Sequence, residues 1–222
     1  MKDLAALPAA SRHSRIETIA TPIAGLMVVA PFTHHDGRGS FTELWNAASF
    51  ARAGIDAPFV QDNLSRSLRR GVVRGLHCQI PPRAQGKLVT CLAGAIFDVA
   101  VDIRPGSPTF GRWFGIELTG RNGLSLWIPP GFLHGFATRA DDTLVLYKCT
   151  APWSPEHERT VRWNDPDLAI DWGISPAHAR LSPRDVAAPP FRAADLGLLR
   201  PDGDAHAPAR ARPPVPAGER TA

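Results

Sequence analysis

One tyrosine, two methionines and three cysteines are all that 222 residues hold of these types. Cys78, Cys91 and Cys149 are odd in number and include no close pair. That argues against a disulfide framework and against a zinc knuckle, and fits a reducing cytoplasm. Charge of one sign is also scarce: 25 Lys and Arg stand against 21 Asp and Glu, for a formal net charge of +4. No basic run or stripe interleaved with aromatics occurs, so no nucleic-acid partner is expected. Long apolar runs are missing too. Nothing approaches the ~18 residues of a membrane helix, so no membrane partner is expected either. The most apolar stretch, IATPIAGLMVVAPF over 19–32, contains Pro22 and Gly25 and follows Glu17. It reads as a first β-strand rather than a secretion signal. Finally, no glycine-rich loop opens a helix and no βαβ period of about 30 residues is visible, which excludes the dinucleotide-binding folds.

Turns and short strands fill the chain instead. Its 22 prolines and 19 glycines punctuate runs that alternate with period two. Strands are expected over 23–31, 59–65, 94–103, 113–118, 124–128, 132–138 and 143–150, with one short helix over 44–53 behind the cap residue Asn46. In GAIFDVAVDI, Phe97, Val99, Val101 and Ile103 share one face, and Asp98, Ala100 and Asp102 share the other. Gly120–Gly123 reads as a hairpin loop. Strands separated by Gly/Pro turns about every ten residues predict an all-β protein, a jelly-roll barrel or sandwich with a few short helices. Residues 1–18 read as a flexible arm, 19–199 as the domain, and 200–222, rich in Pro, Ala and Arg, as a disordered tail.

The chemistry concentrates in GVVRGLHCQIPPRAQGKLV, residues 71–89. It carries a guanidinium (Arg74), an imidazole (His77) and an ammonium (Lys87). Tyr147 lies mid-strand in phase with Val145 and Cys149. His134 follows the turn Pro129-Pro130-Gly131, which resembles the second short motif of cupin barrels, and His77 lies where a first motif would sit. Metal-binding cupins carry two histidines one residue apart there. This chain has His77-Cys78-Gln79, a poor transition-metal set, so no metal is expected. A barrel holding His, Lys, Tyr and Arg instead has the parts for removing a proton next to a carbonyl. A base takes the proton, a cation steadies the enolate oxygen and an acid returns a proton.

The stretches DGRGSFTE (36–43), FVQDNLSRS (59–67), the 71–89 segment, FDVAVDIRPGSPTFGRW (97–113), LWIPPGFLHGF (126–136), LYKCTAPWSPEHE (146–158), WNDPDLAIDW (163–172) and LSPRDVAAP (181–189) together resemble the dTDP-4-dehydrorhamnose 3,5-epimerase family. The resemblance spans about 23–190 and implies a cupin-like jelly roll without a cofactor. It casts His77 as general base, Asp185 as its orienting partner, Lys87 as enolate stabiliser and Tyr147 as general acid. It places His134 in the sugar pocket, Arg38, Glu43, Gln61, Asn63 and Arg74 on the nucleotide and its diphosphate, and Arg184 near the nucleotide. It also implies a homodimer in which Arg38 enters the partner's site.

Two departures stand out. Cys78 follows the histidine where relatives often carry Phe or Tyr. A second tyrosine after LYK, which commonly lies against the nucleotide base, is absent, and Trp153 stands ready to stack on a pyrimidine instead. Arg74 and His77 are three residues apart, so strict alternation would put them on opposite faces. Either Gly75 hosts a bulge that re-aims one of them or Arg74 reaches over the rim. The leading expectation is a cytoplasmic epimerase of a dTDP-4-keto-6-deoxyhexose that inverts the 3- and 5-positions. A single-position epimerase is the nearest alternative, a non-catalytic nucleotide-sugar-binding barrel a further one, and a metal-dependent cupin oxygenase the third. The strand over 23–31, apolar on both faces, would be a hazardous free edge, which predicts dimerisation by sheet extension.

Overall fold

A computed structural model describes residues 16–197. The first fifteen residues of the expected arm and the whole expected tail lie outside them. Thirteen strands are found among the described residues. They are β1 (Ile16–Ala20), β2 (Met27–Pro31), β3 (Thr33–Asp36), β4 (Gly39–Thr42), β5 (Gln61–Ser67), β6 (Val73–Gln79), β7 (Lys87–Ala93), β8 (Ala95–Asp102), β9 (Trp113–Thr119), β10 (Ser125–Ile128), β11 (Phe132–Thr138), β12 (Thr143–Cys149) and β13 (Glu158–Thr160). Helix α1 covers Ala47–Arg52 and α2 covers Pro183–Val186. No helix among the described residues is long and apolar enough to cross a membrane.

The strands form two antiparallel sheets. One has the order β1-β2-β10-β7-β12-β5, the other β13-β6-β11-β8-β9, and β3–β4 is a separate hairpin. This is the cupin-like jelly roll expected. Alternation along each strand then sorts the side chains into three apolar groups. Val28, Val89, Val145, Leu126, Ile96, Phe132 and Phe136 fill the space between the sheets. Val99, Val101, Leu133 and Leu76 pack on the outer face of the five-stranded sheet, under Trp163, Leu168, Trp172 and Phe191 from the C-terminal segment. Val29, Leu88 and Trp127 pack outward from the six-stranded sheet against Phe50 of α1. Each sheet is therefore covered on both faces, which is why its strands are rich in Val, Ile and Leu.

The structure differs from the expectations in three places. Residues 16–18, assigned to the arm, belong to β1, which pairs with β2 from Ile16↔Pro31 to Ala20↔Met27. The strand over 23–31 shortens to β2 because Thr21 Oγ1 and Leu26 close a turn before it. As a result β2 lies between β1 and β10 and is not the free edge that the sequence argument required. Gly120–Gly123 does not close a hairpin. It carries the chain from β9 in one sheet to β10 in the other, with Asn122 Oδ1 accepting from the Thr119 and Leu124 amides at 3.0 and 3.1 Å. Local turn chemistry looks the same whether the next strand pairs or crosses over. The helix expected behind Asn46 is present, and Asn46 Oδ1 caps it by accepting from Ser49 N at 3.1 Å.

Candidate active site

A cavity of about 530 Å³ opens between the two sheets. Its walls come from the inward-facing positions of β6 and β11 on one side and of β5, β7 and β12 on the other, closed at the mouth by Trp153, Glu158 and the Arg180–Asp185 segment. Strand β6 enters it through a bulge. His134 of β11 pairs with His77 but Phe136 pairs with Arg74, so three steps on β6 match two on β11. Gly75 absorbs the extra residue at φ +127°, with no room for a side chain: a Cβ there would lie 2.6 Å from Gly135 Cα. This bulge turns both Arg74 and His77 into the cavity.

His77 Nε2 lies 2.6 Å from Asp185 Oδ1, and its Nδ1 has no hydrogen bond among the described residues. Asp185 is buried at the start of α2. Ser182, the cap of that helix, donates to Asp185 Oδ2 at 2.7 Å and accepts from the Asp185 amide at 3.1 Å. Burial pushes the Asp185 carboxyl up, but the hydrogen bonds from His77 and Ser182 outweigh it and hold the group below its ordinary value. The carboxylate therefore fixes the ring's orientation.

A second histidine–carboxylate pair lies one strand over. His134 Nε2 is 2.7 Å from Asp98 Oδ1 and both are buried. Burial lowers the His134 pKa despite the carboxylate, so the ring stays uncharged more readily than an exposed one. Asp98 sits on the β8 face that carries Ala100, which points between the sheets, whereas the apolar row Phe97, Val99, Val101 points outward under Trp172. An acid inside an alternating strand is the sequence signal of such a buried pair.

Lys87, Val89 and Tyr147 come from the opposite sheet. Cys149 pairs with Lys87 and Tyr147 with Val89, so these inward side chains stand side by side. Lys87 has no ion-pair partner among the described residues. Burial lowers its pKa, with nearby thiols and acids opposing. Burial raises the Tyr147 pKa, so the phenol keeps its proton. Its ring stands 6.1 Å from His134 and 6.2 Å from Phe136. Burial also pushes Cys78 up to about 11, which keeps that thiol neutral and unreactive.

Of the residues expected from the sequence, Asn63, Arg74, His77, Lys87, His134, Tyr147, Trp153 and Asp185 line this one cavity. Gln61 stands just behind it, with Oε1 accepting from Trp153 N at 2.9 Å and Nε2 donating to Asn63 at 3.0 Å. Arg184 stands at the mouth, bonded to Glu158. Arg38 and Glu43 are not brought together with the others: they belong to the β3–β4 hairpin and the segment after it, and the Arg38 side chain is 90% exposed and paired with Asp36. Gln79, weighed as a partner for His77 on a metal, has its amide spent on Arg83 O, Pro152 O and Ser154 N. No group of three or more His, Cys, Asp or Glu side chains placed to hold a metal ion occurs among the described residues. Glu158, Arg180 and Gln85 also line the cavity and were not singled out from sequence.

Residues 20–193 match the family model of dTDP-4-dehydrorhamnose 3,5-epimerase. The chain belongs to this family. It is 49% identical over 174 residues to the dTDP-4-dehydrorhamnose 3,5-epimerase of Pseudomonas aeruginosa, covering 78% of this chain and 94% of that one. It is 47% identical over 167 residues to that of Sinorhizobium fredii, covering 75% and 85%. The crystal structure of dTDP-6-deoxy-D-glucose-3,5-epimerase from Legionella pneumophila in complex with dTDP-4-keto-L-rhamnose superposes with a TM-score of 0.76 at 46% identity, over 83% of this chain and 95% of that one. The matched residues span β2 through β13, the strands between which the cavity lies.

Proposed function

We propose that this protein is an isomerase that inverts the 3- and 5-positions of dTDP-4-dehydro-6-deoxyglucose to give dTDP-4-dehydrorhamnose. The observation that carries the reading is that one cavity receives His77 from one sheet and Tyr147 from the other, with Lys87 beside Tyr147. Carbons 3 and 5 of the sugar both flank the 4-keto group, so each can lose its proton to give an enolate. His77, held by Asp185, takes the proton. The Lys87 ammonium stabilises the oxygen on which charge develops. Inversion needs reprotonation from the opposite face, and a phenol on the opposite wall meets that need. His134 and Asp98 shape the sugar end. Arg74 holds the diphosphate together with Asn63, Gln61 supports Asn63 and Trp153, and Trp153 stacks on the pyrimidine. No step in this scheme calls on a cofactor.

The protein acts as a homodimer in the cytoplasm. Support for the dimer is the β3–β4 hairpin, whose Phe41 is 70% exposed and whose Arg38, among the described residues, pairs only with Asp36 and does not line the cavity. Arg38 and Glu43 then complete the nucleotide site of the partner. The compartment accords with three buried free thiols. The test is proton NMR of dTDP-4-keto-6-deoxyglucose with the enzyme in heavy water. Exchange and inversion at both carbons are expected. Inversion at one carbon alone would make it a single-position epimerase, and no exchange at either would overturn the reading.

A further inference from the structure

Glu158 lies at the first position of β13, across from Gln79 of β6, and its side chain is only 15% exposed. Its Oε2 accepts two hydrogen bonds: from Trp153 Nε1 at 3.1 Å and from Arg184 Nη1. Those donors come from different parts of the chain. Trp153 is in the loop after β12, and Arg184 is in α2, directly before Asp185. Trp153 is 58% exposed, although its indole N–H is held by Glu158 and its backbone amide by Gln61. Arg184 spends one of its five N–H donors on Glu158 while its side chain stays half exposed. Burial pushes the Glu158 carboxyl up, but Arg184 and Trp153 outweigh that and keep it ionised.

We infer that Glu158 is a positioning residue that binds Trp153 and Arg184 into one lip, over which the nucleoside of the substrate is laid. The inference rests on the nucleotide-sugar reading of the cavity. Its physical content is preorganisation: an indole fixed before binding loses less rotamer freedom when a base stacks on it. A bare carboxylate in the wall of a pocket for a diphosphate would instead repel the ligand. The two roles predict opposite signs when the charge is removed.

The experiment measures dissociation constants of TDP and of thymidine by calorimetry for wild type, Glu158→Gln, Trp153→Phe and the double variant. If Glu158 holds the lip, Glu158→Gln, which exchanges a charged acceptor for a neutral one, weakens TDP and thymidine by the same factor, about 3- to 10-fold, the worth of one ordinary hydrogen bond. Trp153→Phe keeps a stacking ring but lacks the N–H, and Glu158→Gln weakens the acceptor of that same bond, so the double variant is no weaker than the poorer single. Tightened TDP binding with unchanged thymidine, or full additivity of the two changes, overturns the inference. Should Glu158→Gln fail to fold, Glu158→Asp, which shortens the side chain and withdraws the acceptor from Trp153 Nε1, replaces it in the cycle. A wild-type protein that binds neither TDP nor thymidine removes the nucleotide-sugar reading, and the lip with it.

Discussion

At the scale of single residues, the account turns on which groups keep their protons. Asp185 takes Nε2 of His77, so in the proposed mechanism Nδ1 is the nitrogen that abstracts. Replacing His77 with Ala should reduce epimerisation by ~10²–10⁴-fold, the usual worth of a general base. TDP binding should stay within a few-fold, since Arg74 is untouched. Steady-state rates with TDP titrations check both, and wild-type-like turnover would remove the mechanism. Lys87 and Tyr147 are moved in opposite directions by the same burial: the ammonium is driven toward losing its proton and the phenol toward keeping it. Enolate stabilisation needs the charged ammonium. Turnover should therefore decline as pH rises through the lowered Lys87 value, below the ordinary 10.5, with Tyr147 still protonated. Lys87→Arg carries a charge that persists above pH ~12. Its turnover should be lower but without that alkaline decline. An identical decline in the variant would assign the limb to another group.

At the scale of elements, the bulge in β6 decides whether Arg74 and His77 serve one site. Their three-residue spacing showed in sequence that something irregular had to lie between them, and Gly75 was one of the two remedies considered. Gly75→Ala places a methyl against Gly135 Cα and His134 O, at 2.6 and 2.8 Å, on a residue with φ +127°. Loss of about 1–3 kcal/mol is expected from the backbone conformation alone, with activity lost along with it. Thermal unfolding of the variant measures this, and an unchanged midpoint would mean that the bulge relocates freely. Most strands were legible because two-residue alternation and Gly/Pro turns are local signals. What was not legible depends on partners far along the chain. β1 reads as part of a loose arm until β2 is beside it. The Gly120–Gly123 turn gives no sign of which sheet comes next. Asp98 and Glu158 gain their roles only from His134, Trp153 and Arg184 across the fold, and the family likeness alone led to Asp185 as the partner of His77.

At the scale of the whole molecule, the hairpin that bears Arg38 contributes no residue to its own chain's cavity, which a dimer would put to use. Light scattering at micromolar concentration should give twice the 24.0 kDa chain mass, and Arg38→Ala should weaken TDP binding while leaving the dimer intact. A fully active monomer would contradict this. The sandwich also explains why inversion is possible at all. Its two sheets present His77 and Tyr147 to one cavity, and in the proposed mechanism the proton leaves by one face of the sugar and another arrives at the other. The most direct test is Tyr147→Phe, which keeps the ring and removes the only phenol in the chain. The quantity to measure is the ratio of deuterium wash-in to inverted product at carbon 5 in heavy water. His77 and Lys87 should still form the enolate, so exchange should persist while inversion falls far more steeply, because the enolate is reprotonated from the face it came from. Inversion at the wild-type rate would contradict the assignment of Tyr147 as the acid, and so would exchange and inversion lost in equal measure.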